Sequence, residues 1–160
     1  MTDTCALCDG PAADAELGRR LVWEDDLWRL SMSVHGHNTV AGFSFLEPKR
    51  HIPHITDLDG EEARTFGTAI ARCTAALKEA TGAELVFVYV FGGGIPHLHV
   101  HLAPHTTGDS LNTALIKGEF DSRPLPSGAT EMISKDYPAL PEAELQACAD
   151  RAAALLSGRS

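Results

Sequence analysis

Hydrophobic and polar positions along this chain follow a two-residue period in some stretches and a three-to-four-residue period in others, which predicts a sheet carrying helices. Residues 20–23 and 27–32 interleave aromatic and aliphatic side chains with polar ones around Glu24-Asp25-Asp26 and read as a hairpin. Residues 42–47 make another strand, stopped by Pro48, which has no N–H to give to a ladder. From Asp59 to about Thr81, the positions Ala63, Phe66, Ile70, Cys73, Leu77 and Ala80 recur at spacings of three and four, the mark of an amphipathic helix with Asp57 or Asp59 as its cap and Gly82 at its end. Residues 84–91 are rich in β-branched and aromatic types and read as a buried central strand, after which a glycine loop turns the chain into an antiparallel neighbour. Residues 106–138 are less patterned and rich in Gly, Pro and Ser. They read as a long surface excursion able to cover a site, with one short helix near residues 111–117. A final helix runs from Pro141 to about Leu156, with Leu145, Cys148, Ala149, Ala152, Leu155 and Leu156 on one face.

The run His97-Leu98-His99-Val100-His101-Leu102 changes the picture from fold to chemistry. On a strand, successive side chains point to opposite faces, so three imidazoles line one side, roughly 6 to 7 Å apart, while Leu98, Val100 and Leu102 are buried on the other. Such a row supplies metal ligands, nucleophiles or proton carriers on a rigid floor. One histidine would pass as a solvated strand face, but three at strict period two point to a site. The approach Phe91-Gly92-Gly93-Gly94-Ile95-Pro96 adds a backbone that can bring N–H groups close to an anion, which makes Gly93 and Gly94 candidate binding residues.

A chain of 160 residues with 44% hydrophobic content forms one sizeable core, hence a single domain. No apolar run approaches the roughly 18 residues of a membrane span, and Met1-Thr2-Asp3-Thr4-Cys5 lacks the features of a secretion signal, so a cytoplasmic location with no membrane partner is expected. Four cysteines in that setting are not structural disulfides. Cys5 and Cys8 have the knuckle spacing of a zinc pair that needs two more ligands, and His51 and His97 lie on elements able to converge with them. Cys73 and Cys148 sit on apolar helix faces as packing residues. A net charge of −9 argues against a nucleic-acid polymer as partner and leaves small phosphorylated ligands open.

The His-x-His-x-His pattern at His97, His99 and His101, together with the strand and turn that end in Pro48-Lys49-Arg50-His51, resembles the histidine-triad (HIT) superfamily of nucleotide hydrolases and transferases. The likeness covers roughly residues 5–105, with residues 106–160 as an extension. The Cys5/Cys8 pair resembles its zinc-bearing branch. The resemblance implies an α+β fold, an antiparallel sheet of about five strands with the long helix packed on it and the histidine strand at its centre, and a homodimer pairing the long helix and the central strand. It also implies a phosphoramidase or dinucleoside polyphosphate hydrolase chemistry on a nucleotide. His99 is then the nucleophile that forms a covalent nucleotidyl-imidazole, His101 holds a phosphate oxygen, the backbone at Gly93 and Gly94 neutralises charge, and a structural zinc sits on Cys5, Cys8, His51 and His97.

Two departures stand out against the family pattern. Gly93 and Gly94 replace side chains that many members use for phosphate, and His35 occupies the place of an acidic residue for the ribose, which makes it a candidate substrate contact. His37, His54 and His105 read as loop histidines, His37 being the next choice for the ligand mouth. Lys49 and Arg50 read as solvated turn charges, and Trp23 and Trp28 as packing aromatics. Two other functions fit the residues: a hydrolase in which the triad itself holds a catalytic metal, and a nucleotide- or partner-binding module without turnover.

Overall fold

A computed structural model describes residues 5–36, 38–111 and 120–158. Helix α1 (Pro11–Glu16) leads into strands β1 (Arg19–Glu24), β2 (Trp28–Ser33) and β3 (Ser44–Pro48). Helix α2 (Gly60–Thr81) follows, then β4 (Leu85–Tyr89), β5 (Val100–His105), a hairpin of β6 (Phe120–Pro124) and β7 (Thr130–Ser134), and α3 (Glu142–Ser157). Five strands form one antiparallel sheet in the order β1-β2-β3-β5-β4, and β6-β7 stand apart as a second sheet. This is the α+β arrangement expected. No helix among the described residues is long and apolar enough to cross a membrane.

The two-residue period divides the main sheet into a structural face and a chemical face. Trp28, Leu30, Met32, Leu46, Val100 and Leu102 are completely buried against α2 and α3, which answer with Cys73, Ala76, Leu77, Leu145, Cys148, Ala149, Ala152 and Leu156. Each large side chain so buried contributes about 1.5–3 kcal/mol. Trp28 also donates from its indole Nε1 to Thr65 Oγ1 at 2.9 Å, which ties the sheet to α2. The helix begins after Asp59 and stops at Gly82, whose φ of 69° makes the left-handed cap. Gly42, at φ 79°, turns the chain into β3 where a Cβ would meet Thr81 Cγ2 at 2.7 Å.

Several expectations are corrected. Residues 84–91 were expected as a buried central strand, but β4 is an edge strand with Leu85 and Val88 more than 40% exposed. An apolar, β-branched run therefore marks an open edge here and not a core position, since burial depends on what covers a strand and not on its composition. The central strand is β3, with β5 beside it. Regular pairing of β5 starts at Val100, so His97 and His99 lie in the extended segment leading into it. Residues 106–138 contain the β6-β7 hairpin, and the expected helix at 111–117 lies outside the described residues apart from Leu111, as does His37. His105 is no loop residue: it ends β5, its Nδ1 2.9 Å from Asp109 Oδ1.

Candidate functional site

Two backbone carbonyls decide which nitrogen each of the first two triad histidines offers. His97 is 2% exposed, and its Nε2 donates to the carbonyl of Pro48 at 2.9 Å. A carbonyl can only accept, so Nδ1 keeps its lone pair. Burial holds the imidazole below its ordinary range, hence neutral. His99 makes the complementary choice: its Nδ1 donates to the His97 carbonyl at 2.6 Å, which leaves the lone pair on Nε2.

The Nδ1 of His97 stands 3.4 Å from the Sγ of Cys5 and 3.4 Å from that of Cys8, and the Nδ1 of His51 is 3.3 Å from Cys8 Sγ. All four atoms lie within 4.8 Å of one another. Zinc bonds of about 2.3 Å to sulfur and 2.0 Å to nitrogen, at tetrahedral angles, separate ligand atoms by about 3.5 Å, so the quartet fits a closed structural site. Local folding prepares it. A turn from Cys8 N to Cys5 O at 3.1 Å closes the knuckle, and Leu98 N donates to Ile52 O at 2.7 Å, fastening the segment after the proline turn to the triad. Burial, then the adjacent Cys5, pushes the Cys8 thiol up to about 11, and a bound cation is what would deprotonate it. No carboxylate among the described residues joins His99 and His101 in a comparable metal-binding group.

His101 sits in an aromatic cage. Tyr89 stacks on it at 5.0 Å with planes 9° apart, and Phe45 and Phe91 stand 5.3 and 5.5 Å from its ring. Burial foremost, then His99, drives its pKa to about 4, and burial pushes the Tyr89 phenol up to about 12, so both are neutral at physiological pH. His101 Nδ1 has no hydrogen-bond partner among the described residues.

His99 and His101 lie in the wall of a cavity of about 720 Å³, a size that suits a nucleotide-sized ligand. Gly94 borders it, whereas Gly93 does not. His35 borders it as well, and its Nδ1 lies 3.0 Å from Glu142 Oε2 at the start of α3. The excursion read as a possible cover does reach the site: Arg123, Leu125 and Glu131 of the hairpin line the cavity, and Ser127 N donates to Glu16 Oε1 of α1 at 2.9 Å. Lys49 and Arg50 are turned away, to Glu24 and to Asp59 and Glu62.

Sequence reasoning missed the wall contributed by α1 and β1. Arg19 of that wall closes an ion ring with Asp14, Arg29 and Glu47, which do not line the cavity, and each of the four is at most 7% exposed. Arg19 Nη1 meets Glu47 Oε1 at 2.7 Å and Arg19 Nε stands 3.2 Å from Asp14 Oδ1, while Arg29 Nη1 reaches Glu47 Oε2 at 3.2 Å and its Nη2 pairs with Asp14 Oδ2. The available signal was the direct cross-strand pairing of Arg29 with Glu47, two opposite charges on an inward face.

No protein-family model and no curated protein sequence matches the chain. Solved structures do. A Zn-bound histidine triad family protein from Mycobacterium smegmatis is 19% identical over 98% of each chain, with a TM-score of 0.62. A hypothetical histidine triad nucleotide-binding protein from Sulfolobus tokodaii is 17% identical over 96% of this chain and 93% of that one, with a TM-score of 0.66. A HIT family hydrolase from Legionella pneumophila is 20% identical over 69% of this chain and 97% of that one, with a TM-score of 0.51. These likenesses establish the histidine-triad fold.

Two outcomes follow from the geometry. Elemental analysis of purified protein should find about one zinc per chain, lost in Cys8→Ser and retained in His99→Ala. The unfolded chain takes a proton on His101 near pH 6.5, which the folded chain refuses until about pH 4, so stability falls as pH drops through that window. In urea titrations His101→Phe should lose less stability than the parent over the window, by on the order of 2 kcal/mol.

Proposed function

We propose that this chain, folded as a histidine-triad protein, is a nucleotide hydrolase or nucleotidyl transferase that works at the α-phosphorus through a covalent intermediate on His99. The observation that carries the reading is the bond from His99 Nδ1 to the His97 carbonyl, which fixes the lone pair on Nε2 of an imidazole bordering the cavity. That nitrogen attacks phosphorus as the bond to the departing oxygen or nitrogen breaks, and the leaving group takes the electron pair and a proton from solvent, which the attacking water or acceptor later returns. Water or another acceptor then attacks the same phosphorus, breaks the P–N bond and restores the imidazole. His101, neutral in its aromatic cage, donates to a phosphate oxygen, and backbone N–H groups around Gly93 and Gly94 answer the charge that builds up. His35 lies with the nucleoside end of the ligand.

Zinc on Cys5, Cys8, His51 and His97 would supply a fixed anchor with no open coordination position. His97 is thereby held on both nitrogens, and the carbonyl that orients His99 is held with it. The Sulfolobus protein is described as nucleotide-binding and the Legionella protein as a hydrolase, which agrees with this reading. The open edge of β4, with Leu85 and Val88 exposed, supports the homodimer, since it can extend the sheet across a two-fold axis.

His99→Asn should lower turnover of a nucleoside 5′-phosphoramidate or a dinucleoside tetraphosphate by at least about a thousandfold while leaving the fold intact. Mass spectrometry of the parent quenched without acid should show a nucleotidyl adduct on His99. Binding without turnover in the parent would make the chain a binding module instead. Sedimentation should give a dimer that Val88→Asp converts to a monomer; a parent that sediments as a monomer rules the dimer out.

A further inference from the structure

The ion ring meets the cavity at Arg19, and two donor nitrogens of that residue, Nε and Nη2, have no hydrogen-bond partner among the described residues. Both oxygens of Asp14 and both of Glu47 are engaged by the guanidiniums of Arg19 and Arg29. The ring is neutral as a whole, and every carboxylate oxygen in it is occupied. What remains is on the donor side: Nε and Nη2 of Arg19 are both buried without a hydrogen bond among the described residues, but Nε still stands 3.2 Å from Asp14 Oδ1, whereas Nη2 makes no ion pair with a described carboxylate. The side chain is 3% exposed, so bulk water does not reach it freely. Burying a donor without a partner is costly, and more so for a guanidinium than for a neutral group, so an incoming acceptor would relieve that cost.

Its position relates it to the chemistry. Arg19 borders the same cavity as His99 and His101. Its guanidinium carbon stands 4.8 Å from the centre of the Phe45 ring, and Phe45 is 5.3 Å from the ring of His101. One phenyl ring thus separates the unused donor from the imidazole that is to hold a phosphate oxygen. The strand order β1-β2-β3-β5 makes this a direction across the sheet, from His101 on β5 towards β1. Three other polar residues that line the cavity have partners. Glu16 accepts from Ser127, Asn38 is bonded to the backbone of Ser33 and Val40, and Glu131 pairs with Arg123.

We propose that Arg19 is a specificity-determining residue whose Nη2 receives an anionic oxygen of the ligand, so that the preferred ligand carries a second anionic group beyond the phosphoryl group at His99. An anionic oxygen is the acceptor that a planar, permanently charged donor in a dry wall binds most strongly. The second group is either the next phosphate of a polyphosphate chain or a phosphate on the sugar; both present the same oxygen chemistry. This rests on the reading that a phosphoryl group docks at His99 and His101.

The test is isothermal titration of zinc-loaded protein in a His99→Asn background, which prevents turnover, with and without Arg19→Lys. Lysine keeps a charge for the ring and removes Nη2. The probes are adenosine 5′-monophosphate, adenosine 5′-diphosphate, adenosine 3′,5′-bisphosphate and inorganic pyrophosphate. With Arg19 present, one of the two bis-anionic nucleotides should bind about tenfold or more tighter than the monophosphate, and which one does identifies the source of the second anion. Arg19→Lys should reduce that preference below about threefold while the monophosphate affinity stays unchanged. If pyrophosphate binds with the same dependence on Arg19 and no nucleotide binds, Arg19 keeps its role and the nucleotide reading fails. Equal affinity for one and two anionic groups, an unchanged preference in Arg19→Lys, an equal loss for every probe, or no binding of any probe overturns the proposal. Should Arg19→Lys not fold, the Nε–H resonance of Arg19 in the His99→Asn protein decides: it should shift on adding pyrophosphate and stay still with inorganic phosphate, and no shift with pyrophosphate overturns the role.

Discussion

The imidazole of His97 is the constraint on which the rest of the site depends. It is buried, and both of its nitrogens are committed, Nε2 to the Pro48 carbonyl and Nδ1 to the thiol pair. Three parts of the chain far apart in sequence therefore meet at one ring: the cysteine knuckle, the end of β3 and the entry to β5. Its own carbonyl then sets the tautomer of His99. A ring that could turn freely would orient neither the thiols nor the next histidine, whereas a ring held at both ends passes its orientation along the backbone.

The same knuckle feeds the wall of the cavity. A few residues beyond Cys8 the chain enters α1, whose Asp14 closes the ion ring with β1, β2 and β3 and whose Glu16 receives the tip of the β6-β7 hairpin. Four charges withdrawn from water are tolerable only because they neutralise one another in one closed set, so the wall holds a single arrangement. The short α1, too brief to be stable alone, is held where its buried Asp14 meets both arginines and Glu16 accepts from Ser127.

The main elements were legible because their periodicity arises from burial on one face. The two-residue alternation of residues 97–102 holds through the irregular entry to β5, with Leu98, Val100 and Leu102 buried at 2% or less. The α2 pattern ends where Gly82 says it should. The edge position of β4 was illegible for the opposite reason: its residues look like those of a central strand, and only the strand order shows that among the described residues it pairs on one side alone. The hairpin of residues 120–134 was hidden because it lies in a stretch rich in Gly, Pro and Ser, where no hydrophobic period stands out along the sequence.

By itself the sequence determined the local chemistry: three imidazoles on one side of an extended segment, two thiols at knuckle spacing, and the helices and strands that a one-sided core requires. The tertiary structure alone decided which groups meet. It joined Cys5 and Cys8 to His51 and His97, spent both carboxylates of the ion ring while leaving Nη2 of Arg19 without an acceptor among the described residues, and brought the β6-β7 hairpin to the cavity that His99 borders. The physical reason is that periodicity records which side of an element faces the core, while a hydrogen bond or a metal ligand set depends on distances of about 3 Å between atoms that only packing brings together.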